Sequence, residues 1–581
     1  MTSRLLCLLP LTLAFPALAE VTLHCQDAPL PYAAARLRAE LPDWDISVTV
    51  SPSLPAWPQS YRIALIAANK AAIVGSDPVG AMYGCFEFAE RIRLSLDLTK
   101  PVSGKPSFHH RQHRFRVPCL PATFPVSKPG EEPFWFADEG FWTKYLDTLA
   151  WDRYNELSLW HRCPFQYLVD LPQYPEASAF APGEFPKYRA MWSMIFRLAK
   201  ERGIDVYLGN WNIEALPAFA QAHGVTVKDS RSPIVADYTR ESVAALLRTY
   251  PDLTGIGTCP GENMGGMTNR EKEQWIWDVI VGGIFKSGRR NVPLQHRSWG
   301  LDDDYQALED VVAKRYPGPL YVDLKYNGEN MYASIIPHFF DPGWLSKSNH
   351  FTVLWHLRND GIALYQWCES SFASSLFRFA AQGNVTGYLM GSEFENPGPG
   401  YPHIPTIAKP WAKYQFEDGG DRLALWGRGG YGVNPDGARM WAPPGVRPPN
   451  PDALFELQSA TEAGSAIIPA VQGLHFLYLG GGWKPELNAG GDNADEPLGR
   501  HYLDGYEFSS VIEWIFHHPV SGYDPDDTWR PLPGWAARCI SKAMSAASLA
   551  HEDARIQQTA LRLRCLGTLG LYYSEKVEGA T

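Results

Sequence analysis

The feature that most constrains this chain is a run of short apolar segments alternating with amphipathic helical stretches, repeated between residues 112 and 395. Strand candidates are Arg114–Val117, Glu156–Leu159, Asp205–Leu208, Leu253–Thr258, Asn291–Gln295, Leu320–Leu324, Phe351–Trp355 and Val385–Met390. Helical patterns lie between them at Glu139–Asp152, Tyr188–Arg202, Thr239–Thr249, Lys272–Phe285 and Ser370–Ala381. A helix that crosses back to start the next strand builds a parallel sheet. Eight such units over roughly 280 residues predict a closed (β/α)₈ barrel rather than an open doubly wound sheet. No Gly-x-Gly-x-x-Gly run follows the first strand, which counts against a dinucleotide fold. A second apolar run, Ile362–Trp367, competes with Phe351–Trp355 for the seventh position.

The flanks differ in kind. Residues 1–19 carry a positive Arg4, an apolar stretch Leu5–Leu13 and the small-x-small end Ala17–Ala19, the pattern of a cleavable signal peptide. The protein is therefore expected to be secreted or periplasmic. No later segment approaches the ~20 apolar residues of a membrane helix. Residues 20–108 alternate as strands at Ile46–Val50, Arg62–Ile66 and Ala71–Val74, followed by a helix from Val79 with Met82, Tyr83, Phe86, Phe88 and Ala89 near one face. This predicts a small α/β domain, then the barrel over 109–396. Residues 397–581 open with glycine and proline and become helical, most clearly over Ala537–Leu569. The fold class is α/β: a TIM barrel with a small N-terminal α/β domain and a mainly helical C-terminal domain.

A formal charge of −11 argues against nucleic acid and anionic membrane surfaces as partners. The eight cysteines left after cleavage show no metal-binding spacing, and no motif implies a cofactor or metal. A homodimer is compatible with the chain. The 21 tryptophans, several at strand ends, suit stacking on the apolar faces of sugars.

Active sites of such barrels form at the C-terminal ends of the strands. There the chain places Trp160 and His161, Trp211 and Asn212, Glu262, His296 and Arg297, Lys325 and Tyr326, Trp355, His356 and Arg358, and Glu393. Arginine and lysine beside aromatics suit a ring-shaped acidic ligand, the arginines by clamping a carboxylate bidentately. Glycoside hydrolysis needs one carboxylic acid and one carboxylate. Glu262 is the leading acid, because it follows a strand inside Cys259–Met264, where a partly dry setting would favour its protonated form. Glu329 and Glu393 compete as its partner. No Gly-x-Ser-x-Gly elbow occurs.

Two segments carry a family resemblance. Gly75–Gly84 with Glu87, Glu90 and Arg91 resembles the domain that precedes the barrel in α-glucuronidases of glycoside hydrolase family 67 and in β-hexosaminidases. Leu425–Tyr431 with Asn434–Asp436 is similar to the start of the helical C-terminal domain of α-glucuronidase-like proteins. The resemblance implies removal of a uronic acid from a plant or algal glycan fragment, by an inverting mechanism with a glutamic acid at the position of Glu262. Lys325–Gly328 resembles the family's lysine-asparagine-glycine segment, with Glu329 nearest to the carboxylate expected next. Lys347–Asn349 resembles the lead-in to the following strand, where the family's base glutamate is replaced within Thr352–His356.

The sequence thus predicts an oligosaccharide or polysaccharide substrate and a hydrolase. A uronate lyase, drawing a base from His161, His296, His356 or Tyr326, and a noncatalytic glycan-binding barrel are the alternatives. A hexosaminidase is disfavoured, because no adjacent Asp-Glu pair ends the fourth strand.

Overall fold

The computed structural model describes residues 20–52, 57–116, 138–161, 164–301, 304–326, 342–345, 348–357, 370–381, 383–391, 420–433, 450–467, 470 and 530–578. The expected signal peptide over residues 1–19, Ile362–Trp367, Glu329, Arg358 and Glu393 lie outside them. The chain divides into two compact units, one ending at Gly104 and one beginning at Lys105.

The first unit is a five-stranded sheet ordered β1-β2-β4-β3-β5, with β1 Val21–Leu23, β2 Asp45–Val50, β3 Tyr61–Ala67, β4 Lys70–Gly75 and β5 Val102–Gly104. Its helix Pro78–Arg93 begins where Asp77 accepts the Gly80 N–H at 2.7 Å, with proline in the first turn where no donor is needed. Asp77 also accepts the Gln59 N–H, tying the helix start to the turn that leads into β3. The expectation of a single buried face is corrected here. Every residue from Gly80 to Glu90 is buried, and Glu87 is tolerated there because Arg91 reaches it at 2.7 Å. Gly84 is required by packing, since a Cβ would stand 2.7 Å from Ile73.

The second unit holds the expected barrel. Its strands are β6 His110–Arg116, β7 Glu156–His161, β8 Asp205–Asn210, β9 Gly255–Thr258, β10 Leu294–Arg297, β11 Leu320–Lys325, β12 Thr352–Leu357 and β13 Val385–Met390. They close in the order β10-β11-β12-β13-β6-β7-β8-β9, and every pairing is parallel. β12 fills the seventh position, which settles it in favour of the earlier of the two candidate runs. β6 starts four residues before the expected Arg114. The reason is chemical: its inward residues are polar, so an apolar criterion misses them. His110 Nδ1 lies 2.5 Å from Glu156 on β7, Gln112 donates to the same carboxylate at 2.6 Å, and Gln295 on β10 donates to Gln112.

Outside the strands, Trp142, Leu146, Trp192, Ile195, Leu246 and Ile284 are fully or almost fully buried in the helical layer. Each such side chain contributes about 1.5–3 kcal/mol when removed from water. The helix Gly420–Tyr431 seals part of this layer. Its Arg428 donates to Asp152 at 2.9 Å, and the Tyr388 hydroxyl donates to the Trp426 carbonyl at 2.5 Å. A Cβ at Gly427 or Gly430 would meet the Asp152 carbonyl or the Tyr388 hydroxyl within 2.3 Å. The glycines of the Leu425–Tyr431 motif are thus explained by packing against the barrel. Beyond it, Pro451–Ser465, Leu532–Leu549 and Ala554–Glu578 pack as three helices. The helical region expected over Ala537–Leu569 is two helices, parted at Ala550–Asp553, where Asp553 accepts the N–H groups of Arg555 and Ile556.

Candidate functional site

Side chains along a strand alternate between the barrel interior and the helical layer. This alternation splits the paired strand-end candidates. On β7, Trp160 faces inward, with the Arg114 guanidinium 5.0 Å from its ring centre, and His161 takes the opposite register. On β10, Arg297 faces inward in register with Gln295. His296 turns outward, where its Nε2 meets Glu273 of the helix Asn269–Ile276 at 3.0 Å, both side chains fully buried. On β11, Lys325 faces inward. Tyr326, which follows it, stacks edge-on against Trp355, and Trp355 donates its indole N–H to Ala380 in the helical layer. On β12, His356 faces inward, with Nδ1 3.5 Å from Asp323. His296, Tyr326 and Trp355, expected to bind ligand, thus point toward the helical layer rather than the lumen. Burial also pushes the Tyr326 phenol well above its ordinary range, which is unsuited to a base.

The inward residues assemble a cationic, aromatic mouth. Trp160 and Trp211 have ring centres 5.9 Å apart, and Trp211 and Trp299 lie near-parallel at 6.4 Å. The Arg297 guanidinium sits 4.1 Å from the Trp211 ring centre, and Lys325 Nζ sits 3.7 Å from that of Trp299. A cation over an indole face is attracted by the ring quadrupole, so each tryptophan orients a positive charge. Trp299 is 36% exposed, at the open end of this strip.

Beneath the mouth lies a carboxylate that sequence reading overlooked. Asp323 of β11 is 2% exposed and accepts from Arg114 of β6 at 3.0 Å, across the barrel. A lone aspartate inside the apolar run Leu320–Leu324 was the available signal. Cys259, at the end of β9, stands near Arg114, Arg297 and Asp323, but burial pushes its thiol up to about 12. It is a packing residue, donating to the Trp299 carbonyl at 3.3 Å.

Glu262 stands on the loop after β9, held from two sides. Asn212, buried after β8, accepts the Glu262 N–H at 2.8 Å, so its carbonyl oxygen serves the loop; it was expected to bind ligand. Gly261 has φ +64° and packs so tightly that a Cβ would lie 2.3 Å from Asn212 Oδ1. Gly300, with φ +92°, fits against the Gly261 carbonyl from the β10 side. Asn263 donates to the Ile213 carbonyl and to Glu214. The Glu262 side chain itself is exposed, so the expected dry setting is not built by the described residues. A bound ligand would have to supply it.

A closed parallel barrel with charged and aromatic groups at its C-terminal mouth has the layout in which barrel enzymes build their active sites. A glycoside hydrolase family 138 enzyme targeting pectin rhamnogalacturonan II matches 96% of this chain and 69% of its own, at 21% identity and TM-score 0.75. A family 115 4-O-methyl-α-glucuronidase with specificity for decorated arabinogalactans covers 96% and 72%, at 13% identity and TM-score 0.48. The family 20 chitobiase of Flavobacterium johnsoniae covers 96% and 90%, at 11% identity and TM-score 0.46. The first likeness establishes the fold, and the lower scores of the other two add nothing to it. None of these three belongs to family 67. No protein-family model and no curated protein matches the chain. Among the described residues, no helix is long and apolar enough to cross a membrane.

Proposed function

We propose that this chain is an exported glycoside hydrolase that removes a uronic acid residue from an oligosaccharide derived from a polysaccharide. The observation that carries this reading is the row of cations set on indoles at the barrel mouth: Arg114 on Trp160, Arg297 on Trp211 and Lys325 on Trp299. Indole faces suit the C–H surfaces of a sugar, and the guanidiniums suit its carboxylate. The matched family 138 enzyme targets pectin rhamnogalacturonan II, a polysaccharide substrate of the kind proposed here.

In this reading Glu262 protonates the glycosidic oxygen as the bond to the anomeric carbon breaks. Water adds to that carbon and gives its proton to a second carboxylate, for which Glu329 and Glu393 are the candidates. Of the bases a lyase could use, His296 and Tyr326 face the helical layer, whereas His356 faces the lumen. Incubating the protein with uronic-acid-containing oligosaccharides, following mass and ultraviolet absorbance, tests the proposal. Release of a hydrated uronic acid supports it. An unsaturated product moves the chain to the lyases, and tight binding without turnover leaves a glycan-binding barrel.

A further inference from the structure

Asp323 is joined to several parts of the mouth at once. Its Oδ2 accepts from Arg114 Nη1, and Arg114 in turn lies over Trp160. Its Oδ1 stands 3.5 Å from His356 Nδ1, with both side chains buried. Its main-chain carbonyl accepts the Ser298 N–H at 3.2 Å and the Ser298 hydroxyl at 3.4 Å. That second anchorage steers the loop carrying Trp299, whose ring meets both Trp211 and Lys325. One residue therefore ties together the ends of β6, β10, β11 and β12.

A buried carboxylate is expensive unless paired, and a pair in a barrel interior is seldom the most stabilising filling. Branched apolar side chains would fill the same space, as they usually do in barrels of this kind. What the carboxylate adds is orientation and charge. We propose that Asp323 is a positioning residue of the site: it fixes the Arg114 guanidinium and orients His356 as a protonatable partner within the lumen. Among the described residues, the charged groups of the lumen near His356 are Asp323 of β11, Lys325 of β11, which is the register partner of His356, Arg114 on β6 and Arg297 on β10. Asp323 is the carboxylate among them, so it opposes the cations and favours imidazolium. Leu389, the register neighbour on β13, is apolar.

The inference rests on the carbohydrate-binding reading of this site, but its test does not need turnover. Full-length protein carrying ¹³C-labelled histidine is titrated by NMR, with the His356 signal assigned by its loss in His356→Gln. In Asp323→Asn the His356 midpoint is expected to fall by roughly one pH unit or more, since an opposite charge at this range shifts a group by that order. D-galacturonic acid is expected to quench the variant's tryptophan fluorescence more weakly than the wild type's. An unmoved midpoint in a folded Asp323→Asn overturns the proposal. Should that variant not fold, the wild-type midpoint decides: above the ordinary histidine value of about 6.5 it stands, at or below it falls. A shifted midpoint in a protein that cleaves no uronide would instead count against the enzymatic reading alone.

Discussion

The Arg297 guanidinium of β10 lies over the indole of Trp211, the residue after β8, 4.1 Å from the ring centre, although β9 separates the two strands. The stack holds the planar fork in place at the barrel mouth. Arg297→Lys keeps the charge but loses the plane and the bidentate edge. Affinity for D-galacturonic acid, followed by calorimetry, should fall about tenfold, equivalent to ~1.4 kcal/mol. Affinity for neutral galactose should hardly change.

Glu262 is exposed, so replacing it should not disturb the fold. Glu262→Gln should leave the melting temperature unchanged while lowering kcat on a uronide substrate by about 10²–10⁴, the usual range for a lost general acid. Full activity in the variant would remove Glu262 from the mechanism.

Gly261 combines a positive φ with the close approach of Asn212. Gly261→Ala should displace the loop and lower kcat at least tenfold, with a melting-temperature loss consistent with about 1–3 kcal/mol of strain. Asn212→Asp, which retains an acceptor for the Glu262 N–H, should be milder on both measures.

Asp205 reaches the surface at the barrel floor, yet its carboxyl is pushed up to about 6, first by desolvation and then by the negative charge of Glu156. The folded state therefore holds this proton more tightly than the unfolded chain does. The contribution is favourable at low pH and is lost as pH rises through the window from about 4 to 6. Asp205→Asn, which keeps an acceptor for the Thr254 hydroxyl, should be more stable than wild type at pH 7. That advantage should shrink toward pH 4 in paired thermal melts.

The barrel was legible because its signals are local. Strand and helix periods are set by each segment's own backbone, and β8 and β13 begin where their apolar runs begin. β6 was shifted because the residues that satisfy its polar interior, Glu156 and Asp323, lie far along the chain. The helix motif around Trp426 was visible as a string of glycines. Its reason, close contact with Asp152 and Tyr388, was not.

Local pattern was enough to name the residues at the strand ends, because a parallel barrel brings all its C-terminal ends to one rim. Which member of each adjacent pair enters the lumen is not legible in that pattern. Barrel closure sets that choice, sending Arg297 inward to Trp211 and His296 outward to Glu273. It also decided the pairing of Arg114 with Asp323, 209 positions apart, since a charge inside a barrel finds its partner across the lumen rather than along the chain.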